Sequence, residues 1–144
     1  MEDSLIEKFD KSRYRLIKWS TVGWMVWYGT FIAKDVINNK PILLLLVLVG
    51  LVGSVLWSIN LVQLLRLGKK ISVNPELTEA MNNEMQKFYV LKSSNIAFAA
   101  TMATVGIFIG ITAFYKISAL IVCESILFVG ISSGLIAYLT YNKE

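Results

Sequence analysis

ILLLLVLVGLVGSVLWSINLVQLL, residues 42–65, runs for 24 positions without a charged side chain. As a helix it would rise about 36 Å, enough to cross a hydrocarbon layer of roughly 30 Å with some tilt. Pro41, just before it, suits the first turn of a helix, where its missing N–H costs nothing. Three further apolar blocks follow the same pattern, at about 16–33, 96–114 and 119–139. The connections KDVINNKP and YKIS are short, so neighbouring spans must run antiparallel. The sequence predicts an all-α, polytopic, single-domain membrane protein over residues 1–144, a four-transmembrane-helix bundle.

The composition agrees, with 56% hydrophobic and 12% aromatic residues among 144. The net charge of +4 does not suggest a nucleic-acid partner, because the bases flank apolar blocks. Lys8, Lys11, Arg13, Arg15 and Lys18 precede the first span. Arg66, Lys69, Lys70, Lys87 and Lys92 border the long middle loop, and Lys143 lies in the tail. Only Lys34, Lys40 and Lys116 stand on the other side. Eleven against three predicts a cell-membrane protein with both termini and the middle loop in the cytoplasm. The opening MEDSLIEKFDKSRYRLIK has mixed charge and is unlike a signal peptide, and Phe31 spoils a small-x-small cleavage pattern before Lys34. The first block reads as a retained anchor.

Histidine is absent and Cys123 is the single cysteine. That removes His-based metal sites, imidazole-dependent nucleophilic triads, intrachain disulfides and multi-thiolate clusters. No base accompanies Cys123, which reads as a small packing residue. The expectation is no catalytic residue, no cofactor and no metal.

The middle loop, SVNPELTEAMNNEMQKFYVLK, carries Asn74 as a helix N-cap, Pro75 in the first turn, and Glu76 and Glu79 near the positive helix end. Leu77, Met81, Phe88 and Leu91 fall on one arc, interrupted by Glu84. This predicts a cytoplasmic amphipathic helix over 75–92, running into the third span. Its apolar stripe would lie on loops or headgroups, or dock a partner.

Four features carry the functional reading. Gly106 and Gly110 in the third span, and Gly130 and Gly134 in the fourth, are GxxxG pairs that let helix backbones approach. Packing between these two spans is the plain expectation, with contact to another chain the alternative. Asn60 and Gln63 lie at a depth similar to Ser93, Ser94 and Asn95, which suits polar interhelical contacts. In the first span Gly23, Val26, Thr30 and Ala33 form a slim face for packing. Trp24, Trp27 and Phe31, with Tyr28 beside them, form an aromatic face expected to look outward to lipid or a partner. Finally, LIVCESILFVG, residues 120–130, places Glu124 among apolar neighbours.

Glu124 lies about 9 Å into its span, and intramembrane carboxylates by default mark function. Three readings follow: a protonated carboxyl bonded to a neighbouring helix, a pair with a base on a partner subunit, or a proton- or cation-coupling site. Phe128, Ile131, Leu135 and Tyr138 share its face, while both glycines are turned away. Size and four spans resemble the small multidrug resistance exporters. In those the coupling glutamate belongs to the first helix, whereas the first span of this chain, about 16–33, has no acid, so no function carries over.

The leading expectation is a non-catalytic small membrane subunit that assembles, anchors or regulates a larger complex. Its partners would be the bilayer and other membrane subunits or copies of itself. The alternative is a homo-oligomeric channel or proton-coupled transporter using Glu124.

Overall fold

In the computed structural model, residues 2–37, 39–75, 78–79 and 84–142 are described. Among them are four long helices: α1 (Glu2–Val36), α2 (Lys40–Ser72), α3 (Glu84–Thr112) and α4 (Ala119–Tyr141). Of these, α2, α3 and α4 are each long and apolar enough to span a membrane. α1 falls short because tryptophan, tyrosine, threonine and glycine fill much of its apolar stretch.

The element boundaries have local causes. α1 reaches back to Glu2, well before the apolar block at 16. Its first half has no glycine or proline, and Glu7–Lys11 (2.6 Å) and Asp10–Arg13 (3.2 Å) pair at helical spacing. Pro41 sits in the first turn of α2. α2 continues past residue 65 through Arg66, Lys69 and Lys70, whose positive charges favour the helix C-terminus. Beyond it the Thr78 hydroxyl donates to the carbonyls of Ile71 (2.8 Å) and Asn74 (3.0 Å), closing the exit turn. Residues 84–92 are the first turns of α3, whereas Leu77 and Met81 of the expected amphipathic stripe, and Glu76 before them, lie outside the described residues.

α1 packs along α2, α3 packs along α4, and a smaller α1–α4 interface joins the two hairpins. Among the described residues α2 and α3 share no comparable interface. The helices therefore stand in the order α2, α1, α4, α3, as an open row. The expected bundle would have closed α2 onto α3.

An open row buries little. Ala137 is the one buried hydrophobic residue among those described, and no large side chain is fully enclosed. The accessible surface is 9986 Å², against about 7,500 Å² for a compact soluble protein of this mass. Leu44, Leu45, Val52, Leu65, Phe98 and Ile109 are all more than 60% exposed. Such a surface suits hydrocarbon as its solvent.

Glycine sets the helix spacing in both hairpins. A Cβ on Gly23 would lie 2.6 Å from the backbone nitrogen of Trp57, and one on Gly53 would lie 2.7 Å from that of Trp27. The slim face of α1 thus meets Gly50 and Gly53 of α2, with Thr30 standing over Gly50. The second hairpin repeats the device, with Thr101 over Gly130 and Ala97 against Gly134. Each threonine hydroxyl is satisfied within its own helix, Thr30 donating to Trp27 O and Thr101 to Ala97 O, both at 2.8 Å.

Candidate functional site

Where α4 meets α1, the helices bring Glu124 against an aromatic ladder. Trp57 of α2 stacks on Trp27 of α1 at 5.2 Å and 19°. One turn away, Trp24 stacks on Tyr28 at 4.8 Å, and Tyr28 lies parallel to Phe128 of α4 at 6.1 Å and 4°. Four rings of two helices thus continue onto a third, and the Phe128 ring faces Gly29, where a Cβ would meet it at 3.7 Å. Trp24 and Trp27 therefore pack between helices, where the sequence suggested an outward face. Phe31 alone of the three stays exposed, with Lys34 Nζ 3.7 Å above its ring. Trp57 is the reason: α2 carries a ring that periodicity on α1 could not reveal.

Glu124 sits one turn before Phe128 on this same face. It is 7% exposed, and its Oε2 is buried without a hydrogen-bond partner. Tyr28 lies within electrostatic range of the carboxylate. Trp24 Nε1 and Ser132 Oγ are likewise buried and unpartnered. Leaving such groups unsatisfied costs about 1–3 kcal/mol each in desolvation, a cost that a hydrophobic side chain in the same place would not carry. Gly130 and Gly134 turn toward α3 instead, which gives α4 two faces with different work.

The other glycine pair is placed differently. Gly106 and Gly110 have nothing within 4 Å of a Cβ built on them. With Ala99 and Ala103 they form an exposed strip of small residues on the outer side of α3. The polar positions do not gather either. Asn60 is buried and donates to Leu56 O at 2.7 Å within its own helix, while Gln63 and Asn95 are exposed on α2 and α3, at opposite ends of the row. Ser93 is buried and donates to Val90 O.

A second cluster, not anticipated from the sequence, forms at the end of the row that carries both termini. Tyr138 of α4 donates to Gln86 Oε1 at 3.1 Å, and Gln86 Nε2 donates to Asn142 Oδ1 at 2.9 Å. Tyr89 stacks on Tyr141 at 6.5 Å, and Lys92 Nζ lies 4.2 Å from the Tyr141 ring centroid. Arg13 and Asp10 of α1 are close enough to act electrostatically on Tyr138. The signal was faint: Gln86 and Tyr138 are 52 residues apart, and each alone reads as an ordinary interfacial residue.

No family model, curated protein or solved structure matches this chain. Its function must be argued from its own geometry. Among the described residues no three His, Cys, Asp or Glu side chains gather as a metal site requires. What the arrangement offers chemically is one enclosed carboxyl among aromatic rings, and one strip of bare helix.

Proposed function

We propose that this chain is a four-span membrane protein with both termini in the cytoplasm, acting as a non-catalytic subunit of a larger membrane assembly. The fourth crossing is α1. Gly23, Trp27 and Thr30 lie level with Gly50–Trp57, the middle of the apolar stretch of α2. If α2 spans the bilayer, this part of α1 is within it. The eleven-to-three distribution of lysine and arginine supports the orientation. A single cysteine introduced at Ser12 of a Cys123→Ser chain should react with a membrane-impermeant maleimide only in inverted vesicles. Labelling in right-side-out vesicles would overturn the orientation.

The strip on α3 carries the subunit reading. Ala99, Ala103, Gly106 and Gly110 fall within an arc of about 60° at 100° per residue and are exposed along the edge of the row. Where neighbouring helices and lipid tails are equally apolar, small residues favour helix–helix contact because backbones can approach. We expect Gly106→Leu with Gly110→Leu to release the protein from its assembly, read by native mass spectrometry after gentle extraction. The chain's own melting temperature should not move, because neither glycine touches another helix. An unchanged mass of the assembly would sink the subunit reading. A parent assembly that weighs a clean multiple of 16.2 kDa would identify the partner as further copies of this chain.

A second reading rests on Glu124. A carboxyl that is buried at membrane depth with an oxygen unpartnered suits proton or cation coupling, in an oligomer where the acid repeats about an axis.

A further inference from the structure

α2 carries two stripes on opposite sides. Gly50, Gly53 and Trp57 meet α1. Two residues after each stand Val52, Val55 and Ile59, about 200° further round at 100° per residue, and Leu48 and Val62 continue that line. All five are exposed. α2 ends the row, with its packing interface on the α1 side, so this second stripe faces the surroundings. At steps of three and four the same line runs on through Arg66, Lys69, Lys70 and Val73. These four are also exposed, and an open hollow of about 500 Å³ lies among them. The face thus changes from apolar to basic without leaving the stripe.

The depth of that change matters. With Leu65, the last residue of the charge-free stretch, at the edge of the hydrocarbon, Arg66, Lys69 and Lys70 stand about 1.5–7.5 Å beyond it by helical rise. The polar layer on each side of a bilayer is roughly 5–7 Å deep. All three bases are therefore level with lipid phosphates. No acid offsets them: residues 36–75 contain no Asp or Glu, and none of the three forms a salt bridge among the described residues. Lys11 and Arg13 of α1, by contrast, are paired with Glu7 and Asp10. An apolar stripe alone would accept any lipid tail. One that ends in three exposed, unpaired cations at phosphate depth is complementary to an acyl chain joined to an oxyanion.

We propose that this face of α2 holds an anionic phospholipid of the leaflet on the side of the termini, with its acyl chain along Val55, Ile59 and Val62 and its phosphate at Arg66, Lys69 and Lys70. The proposal rests on the reading that α2 crosses a bilayer. The full-length Cys123→Ser chain would be placed in nanodiscs of mixed phosphatidylcholine and phosphatidylglycerol. One added cysteine, at Val62 or at Leu48, carries a fluorophore, and each lipid in turn is brominated to quench it. Phosphatidylglycerol should quench the label at Val62 well beyond its share of the bilayer. At Leu48, on the same stripe but in the opposite leaflet, the two lipids should quench in proportion to their amounts. Arg66→Gln with Lys69→Gln and Lys70→Gln should lower the enrichment at Val62 about fivefold for each charge removed, until it reaches parity. The melting temperature should not move, because the three side chains are exposed and unpaired. Lys8→Gln with Arg15→Gln and Lys18→Gln, exposed bases of α1 at the same end, should lower it less. Enrichment that survives loss of the α2 bases, or that falls as far with the α1 set, would overturn the proposal. So would proportionate quenching by both lipids at Val62, which would leave the bases to water or to an acidic segment of a partner. Labels at Val62 and Leu48 that neither lipid quenches would instead overturn the reading that α2 crosses a bilayer, and this inference with it.

Discussion

Gly53→Leu is expected to part α1 from α2 and to leave the chain largely unfolded or aggregated after extraction. The site has no slack: a Cβ there would stand 2.7 Å from Trp27 N, 2.9 Å from Val26 Cγ1 and 3.1 Å from Gly23 O. Two of these three atoms are backbone, so no rotamer change can make room. The helices must separate by the thickness of a side chain. That also opens the Trp27–Trp57 stack at 5.2 Å. Overpacking alone costs about 1–3 kcal/mol, and a lost aromatic pair adds about 0.5–1.5 kcal/mol. The sum is a large share of the 5–15 kcal/mol that typically holds a domain together. Thermal unfolding in detergent and the tryptophan emission maximum report it together, as a lower transition and a shifted spectrum. Gly68→Leu is the control, since nothing lies within 4 Å of a Cβ at that glycine. If Gly53→Leu and Gly68→Leu melt alike, the close approach of α1 and α2 is wrong.

The contrast between these glycines shows what the sequence could and could not disclose. Three helices were legible because charge-free stretches such as 42–65 have few other uses. The helical reach of residues 2–15 was not, because its support is local charge pairing rather than an apolar period. The two GxxxG pairs look alike in sequence but meet different fates. α3 faces α4 through Ser93, Ala97 and Thr101, and Gly106 is turned about 140° from Thr101, so both pairs could not serve one contact. A glycine pair states that a backbone can be approached, not by what. Depth misled in the same way: Asn60 and Asn95 sit at comparable levels, but α1 and α4 stand between their helices. The aromatic face of α1 was visible as a face, while its partners Trp57 and Phe128 depended on tertiary pairing.

Glu124 was visible as an anomaly, and the structure sharpens what it must do. Its carboxyl is enclosed, with Oε2 unpartnered, so Glu124→Leu should stabilise the isolated chain. Removing an unsatisfied buried polar group recovers about 1–3 kcal/mol, and leucine adds apolar contact with Phe128 and Tyr28. For a chain of 144 residues a gain of that size should raise the melting temperature in detergent by roughly 3–10 °C. Glu124→Gln keeps the shape and leaves a buried amide, so it should shift the temperature little. A lower melting temperature for the leucine variant would mean that the carboxyl is a structural bond donor or acceptor, and would remove the motive for any coupling role. A higher one poses a sharper question: a chain that retains a costly acid where leucine is better must use it. The same two variants then answer it in liposomes. Cation or proton flux that is present in the parent protein and lost in both variants, each still assembled, would favour coupling. Flux absent from all three, with the leucine variant failing to join its assembly, would tie the carboxyl to assembly and not to transport. The subunit reading stands or falls separately, on the strip of α3, because Glu124 is enclosed at the α1–α4 interface and the strip lies on the outer edge of the row.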